Sequence, residues 1–366
     1  MKFDHHHYVP CLRWKQGEYQ ALFRLKKTTK DHLTPLIEVA EIGWDFETKT
    51  FKNTIDDHLA PVAKRIQEKW GRGCFVDLNL INPTERLSDG KHPVEFVFDD
   101  LRTKKCGGGV PVAGLECNDD YNCAVSQVHS KDNNGICLRL KIEQAAKPKI
   151  ENSINDFLNK MGIEQKECDV VLDLGSPNYI PIEGFSKLVQ MIVQKLPYLN
   201  DWRTFSVIGG SFPPSTAEIK GAKSVIDRYE WIIYKELSNY LKQENIRIPT
   251  FGDYTISHPR VVSLDMRFVK PSAKLIYAID DAFYVRKGPN VRDNGFAQYH
   301  DYCSELLKNS IFQGEAFSAG DKLIFDCAHK TVKPGNLTTW KWVGTNHHME
   351  RLVEDISSFS SFLNTP

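Results

Sequence analysis

Residues 169–174 read DVVLDL, and their alternation decides the architecture. Successive side chains of an extended strand point to opposite faces. Asp169, Val171 and Asp173 therefore share one face, and Val170, Leu172 and Leu174 share the other. The second face is wholly apolar and belongs under helices. The first carries carboxylates into an interior, where an unpaired ion costs several kcal/mol. The pattern recurs along the chain. CFVDLNL at 74–80 groups Phe75, Asp77 and Asn79, and ICLRLKI at 136–142 groups Cys137, Arg139 and Lys141. TPLIEV at 34–39 holds Glu38, VPVAGLE at 110–116 ends in Glu116, and PTFGDY at 249–254 holds Asp253.

Helical patterns separate most of these runs. Ile55, Leu59, Val62, Ile66 and Trp70 fall at helical spacing over 51–70. Further helices are expected near 93–105, 120–131, 150–161, 185–196 and 216–241. Strands alternating with helices imply a parallel sheet with helical crossovers. Near-continuous apolar strands imply a sheet covered on both faces. Strands at 34–39, 74–81, 110–116, 136–142, 169–174, 204–209, 249–254 and 274–279 fit an α/β fold, a closed (β/α)8 TIM-like barrel over residues 34–280. An open doubly wound sheet is the alternative, but no glycine-rich phosphate loop follows the first strand. Residues 1–33 read as an N-terminal extension. Residues 281–366 read as a C-terminal segment that completes or caps the barrel, with helices near 294–308 and 347–359 and a strand-like piece at 322–327. The stretch 258–268 holds a short apolar run, VVSLDM, and no clear helix.

The 366 residues carry a formal net charge of zero. A broad nucleic-acid or membrane surface needs a basic excess, so both are disfavoured. The nine cysteines are scattered without a CxxC pair, which fits reduced thiols in a cytoplasmic protein. Met1 to Arg13 has no apolar core of a signal peptide, and no run approaches the roughly 20 apolar residues of a membrane span.

Barrel enzymes keep their chemistry at the C-terminal mouth. Glu38, Asn79, Glu116, Lys141, Asp173, Ser211 and Asp253 all lie at or near strand C-termini. Glu38, Asp77, Asp173 and Asp253 with Lys141 suit acid–base catalysis or a divalent cation. No spacing among them selects one chemistry, so cofactor and metal stay unknown. Asn79, Glu116, Arg139, Ser211 and Tyr254 are candidate ligand contacts, and SHP at 257–259 follows closely. Arg286, in YVRKG at 284–288, would supply a cation for a phosphate or carboxylate. WKWVGTNHH at 340–348 ends in adjacent histidines, which point in different directions on a helix and chelate poorly. His348 is retained as an acid, base or ligand, against a plainer surface or capping role. A structural alternative covers the whole set. Arg139 and Lys141 can neutralise the carboxylates across the lumen and fix barrel register without any chemistry.

YVP at 8–10, LRWKQGEYQAL at 12–22 and TPLIE at 34–38 together resemble the opening of the Beta family of bacterial and prophage proteins. GDY at 252–254, RKG at 286–288 and Trp340 with Gly344 and NHH at 346–348 resemble its later blocks. The family's namesake is a satellite-phage protein encoded beside Gop and CII in a three-gene anti-phage defence locus. The resemblance therefore implies phage defence by a toxic or abortive response, with Gop-like and CII-like partners and a phage-derived trigger. It brings no catalytic residues. Two activities follow as expectations. One is a hydrolase or phosphodiesterase acting on a nucleotide or nucleic acid. It would use Glu38, Asp77, Glu116 and Asp173 as acid–base groups or metal ligands, and Lys141 and Arg286 against developing phosphate charge. The other is a non-catalytic sensor or regulator that binds a phage product or a toxic partner such as Gop. Trp14, Tyr19, Trp340 and Trp342 are its candidate anchors.

Overall fold

In a computed structural model describing residues 2–215, 218–260, 265 and 267–363, eight parallel strands close into a barrel. They are β1 (Tyr8–Arg13), β2 (Leu36–Glu38), β3 (Cys74–Asp77), β4 (Gly109–Ala113), β5 (Ile136–Lys141), β6 (Cys168–Asp173), β7 (Thr204–Gly209) and β8 (Thr250–Asp253). Each strand pairs with its neighbours in chain order, and β1 closes the ring against β8, with Tyr8 opposite Phe251 and Pro10 opposite Asp253. This is the expected (β/α)8 barrel, with two of its strand assignments moved.

Residues 1–33 are not an extension, because they contain β1. YVPCLR is short and carries a proline, which weakens a strand signal. Its strand character comes from hydrogen bonding to β2 and to β8, which is remote in sequence. Conversely, residues 274–279 lie outside the barrel. Ser272–Ile279 pairs antiparallel with Ala282–Asn290, which pairs in turn with Lys223–Asp227. Only Asp280 and Asp281 separate the first two strands, and a parallel crossover needs a dozen residues or more.

The helices follow the apolar spacing, with local corrections. The stretch 51–70 breaks into Ile55–Leu59 and Val62–Lys69, because Pro61 cannot donate into a continuing helix. All five apolar positions that predicted the helix are buried. The helix expected over 216–241 begins only at Tyr229 and runs to Gln243, while Thr216 and Ala217 lie outside the described residues. Lys322–Cys327 is helical rather than strand-like, inside Ala319–Ala328, whose first turn is capped by the Ser318 hydroxyl. The last helix is longer than expected, Leu337–Leu363, and packs on Gln16–Phe23 and on the accessory hairpin. Of the run VVSLDM, only Asp265 is among the described residues.

Alternation sorts the core into two layers. Val9, Cys11, Leu36, Phe75, Val112, Cys137 and Val171 fill the lumen. Leu138, Leu140, Val170, Leu172 and Phe251 pack outward against the helices. All nine thiols are free, and Cys74, Cys137 and Cys168 are buried as small apolar groups. Asp169 closes the lower lumen. It accepts from Arg203 Nε at 3.0 Å and from the Thr204 hydroxyl at 2.7 Å, so this buried charge is fully answered.

Gly252 shows how tightly β8 sits between its neighbours. A Cβ there would lie 2.4 Å from the Val9 carbonyl oxygen and 2.5 Å from Ile208 Cγ2. The Val9 carbonyl cannot retreat without disturbing the ladder, and the Ile208 methyl can move only by leaving its rotamer. Gly252→Ala is therefore expected to lower unfolding stability by about 1–3 kcal/mol, read as a reduced urea midpoint.

Candidate functional site at the barrel mouth

Arg139 occupies the middle of the upper lumen, brought there by the same alternation that buries Cys137 below it. Its Nη1 donates to Glu38 Oε1 and to Asp77 Oδ2, each at 2.8 Å. Its Nε donates to Asp173 Oδ2 at 2.9 Å, and its Nη2 donates to the Tyr254 hydroxyl at 2.7 Å. Tyr254 in turn donates to Asp173 Oδ2 at 2.6 Å. Burial works against the guanidinium charge, but Tyr254, Asp173 and Glu38 outweigh it and hold its pKa above the usual arginine value. Burial pushes the Asp77 carboxyl up, and Arg139 restrains that shift.

The remaining carboxylate oxygens are also occupied. Glu38 Oε2 accepts from Arg13 at 3.1 Å, Asp77 Oδ1 from the Asn79 backbone N–H at 2.9 Å, and Asp173 Oδ1 from the Gly175 N–H at 2.8 Å. A divalent cation does not fit here. Hard cations need carboxylate oxygens free to converge, and this volume already holds a guanidinium. Among the described residues, only Asp4, His5 and His6 bring ligand atoms close enough together for a metal ion. That group lies near the start of β8, at the opposite end of the barrel, where Thr250 donates to the Asp4 carbonyl.

Above this network opens a cavity of about 630 Å³, within the usual range for a small-molecule site. Glu38, Asp77, Arg139, Asp173 and Tyr254 form its floor, and Asn79, Glu116, Lys141, His258 and Arg260 stand around it. Lys141 is exposed at the end of β5. Glu116 is an exposed rim residue paired with Lys147 at 3.3 Å. Arg13, His258 and Arg260 join the site although charge and strand position did not nominate them. Arg13 was legible in principle, since it shares a face with Cys11 on a run read as lying outside the barrel.

Four nominated residues belong elsewhere. Asp253 points away from the lumen into the layer between barrel and helices, because Gly252 on β8 and Tyr254 just after it take the inward positions. It accepts from Tyr8 at 2.5 Å, from His348 Nε2 at 2.7 Å and from the Thr255 N–H at 2.9 Å. Burial works against its charge, but His348, Tyr8 and the charge of Arg228 hold the carboxyl below its ordinary range. His348 is fully buried, which corrects both the mouth and the surface expectations. Burial holds its pKa down against the opposing pull of Asp253, and its Nδ1 has no hydrogen-bond partner. His347 is buried too, stacked on Tyr277 and bonded to Asp321. Ser211 donates to Glu230 instead of lining the mouth. Arg286 lies on the accessory sheet, bound to Glu305 and over the Tyr302 ring.

The sequence signature of the Beta protein family matches residues 8–354, from the first barrel strand into the last helix. The chain belongs to the Beta protein family. No curated protein matches it. Within this family member, the matched span holds every residue of the Arg139 network and the Asp253–His348 pair.

Two predictions follow from these charges. Arg139→Met leaves three buried carboxylates facing one another, so it should cost about 3–5 kcal/mol of unfolding stability. The deficit should narrow at pH 5, where Asp77, already pushed up by burial and now freed of Arg139, can take up a proton, as read by denaturation at neutral pH and at pH 5. Glu230 is pushed up to about 7 by burial and by Asp253. A carboxyl raised on folding supports stability below its unfolded value and loses that support as pH rises through the folded one. Wild-type stability relative to Glu230→Gln should therefore fall by up to about 3 kcal/mol between pH 4.5 and pH 7. A pH-independent difference in melting temperature would remove the assignment.

Proposed function

We propose that this Beta family chain is a component of a bacterial or prophage anti-phage defence system, and that its barrel mouth binds a small phage-derived or phage-induced ligand without transforming it. Family membership supports the defence context. The observation that carries the binding role is the occupancy of the carboxylates. All six oxygens of Glu38, Asp77 and Asp173 already accept from Arg139, Arg13, Tyr254 or a backbone N–H. Most of these oxygens keep a second lone pair, but their charge is committed to Arg139 and Arg13, and a proton or metal cation entering here would compete with both guanidinium groups. The cavity above offers Lys141, Arg260 and His258 to an anionic group such as a nucleotide phosphate.

Binding there would be read out by Gop-like or CII-like partners. Trp14 and Trp340 are buried, so they serve packing rather than docking, and Tyr19 and Trp342 are partly covered. In the basic run Arg102, Lys104 and Lys105, two of the three cations are paired with neighbouring acids. Arg102 pairs with Asp99 and Asp132, and Lys104 with Asp100. No described helix is long and apolar enough to cross a membrane.

One observation favours a second reading, a hydrolase or phosphodiesterase. Asp77 is buried with its pKa raised, which is how a general acid is prepared. The two readings separate in plaque assays on cells expressing the chain with its neighbouring genes. The binding role expects Lys141→Ala with Arg260→Ala to abolish protection, and Asp77→Asn to retain it wherever melting temperature is preserved. Loss of protection in a stably folded Asp77→Asn protein would favour catalysis.

A further inference from the structure

A second cavity, of about 560 Å³, lies between the accessory hairpin, the segment after β7 and the last helix. It shares no lining residue with the mouth. Four lysines reach it, Lys270, Lys274, Lys287 and Lys341, and no carboxylate lines it among the described residues. Two acids outside the cavity answer two of these lysines. Lys270 pairs with Asp293 at 2.9 Å and Lys341 with Glu18 at 3.6 Å.

The fold puts like charges together here. On Ser272–Ile279, Ala273, Leu275 and Tyr277 face the neighbouring helices, so Lys274 shares the opposite face with Ile276. The antiparallel register sets Lys274 directly across from Lys287. Like charges in that relation destabilise a sheet. The charges acting on Lys274 are Lys341 and Lys287, both positive. Lys287 Nζ donates to the Ile219 carbonyl at 3.3 Å, and Lys341 Nζ donates to the Ser257 hydroxyl and, at 3.4 Å, to the Ile256 carbonyl, whereas no described acid pairs with Lys274. Phe212, Ile256, Ile276 and Trp340 give it apolar walls, with Ser215, Ser272 and Tyr299 among the other lining residues.

We propose that this cavity binds a small phosphate monoester with an apolar or aromatic body, its phosphate among Lys274, Lys287 and Lys341 and its body against Phe212, Ile276 and Trp340. A phosphate monoester brings up to two negative charges and several acceptor oxygens to a group of donors that repel one another. The apolar walls reward a body that leaves water. The protonation state of Lys274 agrees with this. Burial, then Lys341 and Lys287, pull its pKa down to about 8, and a bound anion would reverse that shift. The site is separate from the mouth and does not depend on its function.

Phenyl phosphate is the probe, with inorganic phosphate as the comparator lacking the apolar body. The full chain is acetylated with acetic anhydride, with and without probe, and lysine modification is read by mass spectrometry. Phenyl phosphate should protect Lys274, whatever its effect on Lys141 at the mouth. Calorimetry should give binding weakened about tenfold or more by Lys274→Met, and largely kept by Lys274→Arg. Removing one of two opposed charges should not lower the melting temperature of Lys274→Met, so lost binding will not reflect unfolding. Inorganic phosphate should bind more weakly than phenyl phosphate. Equal acetylation of Lys274 with and without probe, protection of Lys141 in its place, or unchanged affinity in Lys274→Met would each overturn the proposal. Equal affinity for the two phosphates would remove the apolar half of it.

Discussion

Three strands of the barrel each deliver a carboxylate to one small volume, and the Arg139 guanidinium stands between them. Like charges this close, in a medium less polarisable than water, repel strongly. A planar group with five donors can face several acceptors at once, which an ammonium cannot. Tyr254 completes the geometry by bridging Arg139 and Asp173, so residues from β2, β3, β5 and β6 and the turn after β8 are tied to a single side chain. The strand ends that form the mouth take their relative positions from this group. The floor of the cavity is accordingly rigid, polar and close to self-neutral, while its rim carries the uncommitted charge.

A second polar set lies outside the barrel, and it does different work. Asp253, Tyr8 and His348 link β8, β1 and the last helix in a fully buried layer. Such groups contribute little net stability compared with an apolar packing, but they are costly to break one at a time. They specify which helix lies on which strands. Asp253 and His348 are thereby tied to each other, and neither lines the mouth cavity or the cavity beside the accessory hairpin.

Much of this was legible from alternation alone. The period of two identified the lumenal faces of β3, β5 and β6 and so brought Asp77, Arg139 and Asp173 together before any coordinates. It misplaced Asp253 because a four-residue run with glycine at its centre gives no apolar contrast between its faces. It missed β1 because YVPCLR has no strand signal that survives its proline, and its partners lie far along the chain. Residues 274–279 read as a barrel strand, although the DD turn after them is too short for a crossover and sends the chain back antiparallel. Whether His348 was buried could not be read at all, since helix periodicity places a residue on a face without saying what covers that face.

The way β1 is held has a consequence for how the protein is made. Residues 8–13 need both β2 and β8 as partners, and the helix that follows β1 is clasped by the far end of the chain. Asn346 donates to the Ala21 carbonyl, while Glu350 accepts from the Lys26 N–H and the Thr29 hydroxyl. A ribosome must therefore release most of the chain before the ring can close. Until then β1 and β7 each present an unpaired edge, which is the surface through which nascent sheets pair wrongly. Closure of the ring therefore waits for β8 to emerge, and a chaperone that shields strand edges would guard the chain during that interval.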